Sequence, residues 1–218
     1  MSHKARLLVP AAAAAAYTFV LRPRFLHWGA TEAEVDQPLP GDELVGAPRY
    51  TTTRGVHVVA GAGRVWPWLV QMGQGRGGLY SYDWLENLVG VKMHSGNVVA
   101  PEHQQLAVGD AIWLVPRDAP VPLRLKVAVL DPGHALVLQT PREPDEVIEG
   151  FAVATWAFVL TPSPGGGTRL LVRWRADYKP TVVSTLASHY LLEPVHFVME
   201  RKMLLGIKAR AEALTAWS

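Results

Sequence analysis

The sequence predicts an α+β fold: an antiparallel sheet of about seven strands packed against a long C-terminal helix. Three observations carry this. The segment PSPGGG joins two strand-like runs, Phe151 to Thr161 and Arg169 to Tyr178. Further β segments at Ala111 to Val115, Leu123 to Leu130 and Ala135 to Thr140 are separated by Pro- and Gly-bearing turns such as DPGH. Beyond Pro180, Leu192, Val195, Met199 and Met203 recur at helical spacing and LLGIKARAEAL continues the stripe.

From the N-terminus, residues 1–21 form an apolar segment. Leu7 to Leu21 has Thr18 as its only polar residue, with Lys4 and Arg6 before it and Arg22 and Arg24 after it. The run is shorter than the roughly 20 apolar residues a spanning helix needs. A membrane anchor, a helix packed on the protein and a cleaved signal are the readings it leaves open, so the chain is expected to be cytoplasmic or membrane-associated through this segment. Residues 22–48 read as an extended connector holding Pro23, Pro38, Pro40 and Pro48. Within it Thr31, followed three residues on by Glu34, has the spacing of an N-cap for one short helix.

Residues 49–218 read as the folded domain. Tyr50 to Ala60, rich in Thr and Val, is the first strand. Val65, Trp68, Leu69 and Met72 then recur at i, i+3, i+4, i+7, which predicts a helix. It runs into GQGRGG, a literal match to the G-x-G-x-x-G of dinucleotide sites. That fingerprint requires a strand before the glycines and a helix after them. Here a helix precedes, and Tyr80, Tyr82 and Trp84 alternate as in a strand, so a turn is expected and no nucleotide site. Residues 85 to 107 form a loop. In the last strand Leu170, Val172, Trp174, Ala176 and Tyr178 share one face, expected buried, while Arg169, Arg173, Arg175 and Asp177 share the other, expected wet. Pro194 interrupts the C-terminal helix, predicting a kink or a new helix with Pro194 in its first turn.

VWPWLVQMGQGRGGLYSYDWLENL, EPVHFVMERKMLLGIKARAE, HWGAT and PLPGDEL together resemble the START and pollen-allergen superfamily, also called SRPBCC or polyketide cyclase-like proteins. The resemblance covers roughly Arg22 to Glu212. It implies the helix-grip fold with its cavity between sheet and helix, within a bacterial branch without a defined reaction, some of whose members begin with a membrane-spanning segment. No catalytic residues come with the motif.

Composition narrows the chemistry. The 218 residues are 49% hydrophobic, with 21 basic against 19 acidic residues and no cysteine. No charge run suggests a nucleic-acid partner, and no disulfide or thiolate chemistry is available. No cofactor is expected, and the composition leaves the oligomeric state open.

Given the cavity, the expected ligand-binding residues are Tyr80, Tyr82, Trp84, Trp113, Trp156, Trp174, Met199 and Met203. Core filling is the alternative for the aromatics. Arg76 is a candidate for a ligand carboxylate, against a solvated loop arginine. His189, Glu193, His196 and Glu200 fall at i, i+4, i+7, i+11 on one helical stripe. A polar flank is the favoured reading of that stripe. Metal binding is not expected, since E-x-x-H occurs once and di-iron bundles use two. As catalytic candidates, His189, Glu193 and His196 would act in acid-base chemistry at the cavity mouth. Ser184 and Ser188 lack the setting of a nucleophile. The sequence therefore supports a binder or carrier of a small hydrophobic ligand (lipid, polyketide or aromatic). A metal-free polyketide cyclase or dehydratase-type enzyme is the alternative.

Overall fold

A computed structural model describes residues 14–88, 90–142, 153–178 and 180–213. A π-helical turn, Tyr17–Leu21, leads into α1 (Arg22–Leu26), followed by α2 (Glu32–Asp36) and a 3-10 turn, Asp42–Val45. Then come β1 (Tyr50–Val58), α3 (Ala62–Val70), α4 (Asp83–Leu88) and the strands β2 (Ala111–Trp113), β3 (Arg124–Asp131), β4 (Ala135–Gln139), β5 (Val153–Pro162) and β6 (Thr168–Asp177). The chain closes with α5 (Val182–Ala187), a π-helical segment, Ser188–Leu192, and the long helix α6 (Glu193–Ala213). All strand pairs are antiparallel, in the order β1-β6-β5-β4-β3-β2. A sheet of this order gripping one long C-terminal helix is the helix-grip fold.

Among the described residues the sheet has six strands, against about seven expected. The alternation at Tyr80, Tyr82 and Trp84 does not form a strand: Tyr80 takes a left-handed φ of 57° and α4 begins at Asp83. Asp83 accepts hydrogen bonds from the Ser95 amide at 2.7 Å and the Ser95 hydroxyl at 2.6 Å, while Ser95 Oγ in turn accepts from the Tyr80 amide. These side-chain bonds satisfy the local backbone in place of a ladder. The start of the strand expected at Phe151 lies outside the described residues, as does the part of the apolar run before Ala14. Among the described residues no helix is long and apolar enough to cross a membrane.

The inner face of the sheet packs Leu125, Leu136, Trp156, Phe158, Leu170 and Val172 against Trp68, Leu69 and Met72 near α3 and Met203, Leu204 and Ile207 from α6. Gly206 lets α6 approach the turn before α4, since a β-carbon there would collide with the Tyr80 carbonyl oxygen. Pro194 sits in the first turn of α6, directly after the π-helical segment. Breaking the regular ladder there accommodates the proline's missing donor.

The arginine part of the outer face is not wet, whereas Asp177 at its end is exposed as expected. Arg173 is 3% exposed and lies under the N-terminal segment. Its guanidinium donates to Thr53 Oγ1 and to the carbonyls of Glu34, Val35 and Gln37, and pairs with Asp42 at 2.6 Å. Arg169 pairs with Glu34 at 2.7 Å, and Arg175 donates to the Val45 carbonyl. Residues 29–46 thus form a roof over β6 instead of an extended tether. The expected cap is present: Thr31 Oγ1 accepts from the Glu34 amide and the Glu34 carboxylate accepts from the Thr31 amide. A five-residue helix leaves its last carbonyls without intrahelical donors, and Arg173 supplies them.

Candidate functional site

A cavity of about 610 Å³ lies between the sheet and the C-terminal helices. β5 and β6 present Trp156 and Trp174 to it, with ring centroids 5.8 Å apart. α6 presents Met199 and Met203, and Leu79 and Leu114 come from the loops at the far end. The α5 region and the following π-helical segment contribute Ser184, Ala187, Ser188 and Leu192. Tyr50, Tyr178, Glu86, Glu193, His196 and Glu200 supply its titratable groups.

Of the residues expected to bind ligand, Trp156, Trp174, Met199 and Met203 line this cavity. The others do not. Tyr80 belongs to the core, its hydroxyl donating to the Trp68 carbonyl at 2.9 Å. Tyr82 lies beneath the Lys202 ammonium, Trp84 is 65% exposed, and Trp113 lies under the guanidinium groups of Arg117 and Arg124. Once Tyr80 is not in a strand, the alternation no longer aims these rings at the helix. Arg76 donates to the carbonyls of Val70 and His103 and so ties the glycine turn to a neighbouring loop. In that turn Gly73 and Gly78 exchange backbone hydrogen bonds at 3.0 Å, and Gly73, Gly75 and Gly78 hold positive φ. The amides of Gly73 and Gly78 therefore face each other, not a phosphate.

Three members of the helical stripe, Glu193, His196 and Glu200, line the cavity rather than forming a polar flank. Glu193 and Glu200 are each 2% exposed. Arg22 binds Glu193 through two hydrogen bonds, of 2.6 and 3.1 Å, from the far N-terminus of the described chain. Arg54, from β1, donates a short hydrogen bond to Glu200, which also accepts from Trp156 Nε1 at 2.8 Å. His196 Nε2 lies 3.3 Å from Glu200, and its Nδ1 lies 3.1 Å from the Tyr50 hydroxyl. Burial works to raise the Glu200 pKa, but the Arg54 charge and then His196 outweigh it and bring it down to about 2. Burial pushes the Tyr50 hydroxyl pKa up. His189 is not part of the cavity wall; its Nδ1 lies 3.1 Å from the Thr185 carbonyl. Among the described residues no group of three or more His, Asp or Glu side chains is placed to hold a metal ion.

Sequence reasoning missed three participants. Arg22 and Arg54 meet their partners 171 and 146 positions away, a pairing that no local spacing announces. Glu86 reads in sequence as an ordinary acid of a loop, yet it lines the cavity, is 8% exposed, and its Oε2 has no hydrogen-bond partner among the described residues. Burial, helped by the neighbouring Asp83 charge, pushes its pKa up to about 7.

No family model and no curated protein sequence matches this chain. Among solved structures it is similar to a protein of Nitrosomonas europaea, at 12% identity over 81% of this chain and 99% of that one, with a TM-score of 0.48. It is also similar to the di-domain ARO/CYC StfQ from the steffimycin biosynthetic pathway, at 14% identity and a TM-score of 0.46. That match covers 81% of this chain and 55% of StfQ. Norcoclaurine synthase from Thalictrum flavum matches at 14% identity over 78% of this chain and 87% of its own, with a TM-score of 0.41. Likenesses at this level carry no chemistry to this chain.

Proposed function

We propose that the protein binds and carries a small hydrophobic molecule in the cavity between its sheet and its C-terminal helices. The observation that carries this reading is the cavity of about 610 Å³, walled by Trp156, Trp174, Met199 and Met203 and with a mostly apolar surface. Apolar walls supply affinity, and a small set of placed polar groups fixes orientation. The two methionines adapt their shape to varied ligands. Titration with the uncharged fluorophore N-phenyl-1-naphthylamine tests it: one saturable site is expected, and Met199→Trp, whose larger side chain takes up part of the space, weakens binding while the protein stays folded. Binding unaffected by Met199→Trp refutes the assignment to this cavity. Native mass spectrometry of protein purified from its source would then identify the resident molecule, a lipid, polyketide or aromatic.

One arrangement favours a second reading, an enzyme of cyclase or dehydratase type. His196 stands on the cavity wall between the Tyr50 hydroxyl and the Glu200 carboxylate, an orientation suited to moving a proton to or from a bound carbonyl compound. Turnover of a polyketide-like substrate, lost in His196→Ala with binding retained, distinguishes it from carriage alone.

A further inference from the structure

The carboxyl groups of the cavity differ in one respect. Glu193 is held by Arg22 and Glu200 by Arg54, so both negative charges are already compensated from behind the wall. Among the described residues Glu86 has no such partner. Its Oε2 is buried and makes no hydrogen bond among the described residues, although the side chain lines the cavity. The hydroxyl of Ser81 at the same end is already committed, donating to the Met199 carbonyl at 2.9 Å. A buried acid without a partner either keeps its proton or waits for a positive charge. The titratable groups facing this space are Tyr50 from β1, Tyr178 beyond β6, and Glu193, His196 and Glu200 from α6, while Asp83, on the same helix as Glu86 but outside the lining, acts on Glu86 through its charge. No Lys or Arg among the described residues lines the cavity. An anionic head group would meet carboxyls there, whereas a cation meets Glu86 in a cavity whose lining also includes the indoles of Trp156 and Trp174, ring systems that favour positive charge.

We propose that Glu86 is the polar anchor of the cavity and that it selects an apolar or aromatic molecule bearing a protonated amine. This rests on the binding role proposed above. The elevated Glu86 pKa fits it, because an ammonium group brought alongside supplies the missing counter-charge and drives the carboxyl to ionise.

The test compares three probes that share a twelve-carbon chain, dodecylamine, dodecanol and dodecanoate, each competing with N-phenyl-1-naphthylamine at pH 7.5. Dodecylamine should displace the fluorophore about tenfold more effectively than dodecanol, and dodecanoate should be the weakest. In Glu86→Gln the amine-to-alcohol ratio should fall to near one, and Glu86→Leu should give the same collapse if the glutamine variant folds poorly. Dodecanoate competing as well as the amine, or a ratio unchanged in both variants, overturns the assignment to Glu86 while leaving the carrier reading standing. Failure of the fluorophore and of all three probes to bind overturns both.

Discussion

Glu200 carries three partners within the cavity wall, and its cost of burial is met by Arg54, Trp156 and His196 together. Removing one member of such a pair leaves the other charge stranded, at about 3 to 5 kcal/mol. Arg54→Met should therefore lower stability by that amount in urea denaturation. The double variant Arg54→Met/Glu200→Leu should lose clearly less than the two single losses added together; strict additivity would show that the groups do not depend on each other. The two unusual acids act oppositely on pH dependence. Glu200, with its pKa lowered to about 2, stabilises the fold above the ordinary carboxyl range and loses that contribution as pH falls toward 2. Glu86, raised to about 7, keeps a proton that the unfolded chain gives up near pH 4.5, so stability falls as pH rises between those values. Glu86→Gln should leave stability near wild type at pH 4 and raise it by about 1 to 2 kcal/mol at pH 8, discounted because the cavity admits water. Urea midpoints at pH 4, 6 and 8 check this, and a wild-type curve as flat as the variant's would refute it. At this scale the sequence showed the stripe of His189, Glu193, His196 and Glu200 but not its direction. A helical period places residues on one face; it does not say which distant arginine will meet that face.

Elements were more legible where the signal was local. The Thr31 and Glu34 spacing marked a capping box that is present, and Pro194 marked the start of a helix that does begin at Glu193. Two patterns misled for a shared reason. Alternation at Tyr80, Tyr82 and Trp84 was too short to decide between a strand and a turn, and Asp83 and Ser95 settled it through side-chain bonds. Alternation in β6 was correct, yet it could not reveal that residues 29–46 return to cover the arginine face. Period two separates the faces of a strand without naming what lies over each. A close approach of elements was equally hidden. Gly206 on α6 gives no outward sign of its role, but a methyl group there would press on the Tyr80 backbone, which has little freedom to retreat because its amide and hydroxyl are both bonded. Gly206→Ala removes a helix-weakening residue, which alone would gain up to about 1 kcal/mol. Overpacking should dominate, giving a net loss of about 1 to 3 kcal/mol. Thermal denaturation checks the sign, and a stabilised variant would show that the turn yields.

At the scale of the molecule, helix and sheet were foreseen because a six-stranded sheet and one long apolar-striped helix have few ways to bury each other. The N-terminal region was not, since its contacts are dispersed over the whole chain. Tyr17 donates to the His189 carbonyl at 2.6 Å, Phe25 stacks on Phe197 at 4.3 Å, and Arg54 donates to the Phe25 carbonyl. These contacts connect the N-terminal helices to the π-helical segment, to α6 and to β1, all of which also contribute to the cavity wall. Two truncations separate the contributions. A chain starting at Arg22 keeps the Arg22–Glu193 pair and the roof over β6 but loses Tyr17, so it should lose about 1 to 2 kcal/mol, a few degrees in Tm for a domain of this size. A chain starting at Arg49 also strands Glu193 beside the cavity and leaves Arg173 without its carbonyl partners and Asp42. Uncompensated buried charge and an uncovered sheet face place that loss several kcal/mol higher, enough to prevent cooperative unfolding from being seen at 37 °C. Circular dichroism melts of the two chains decide the matter: equal Tm values would show that residues 22–48 lie on the domain without holding it.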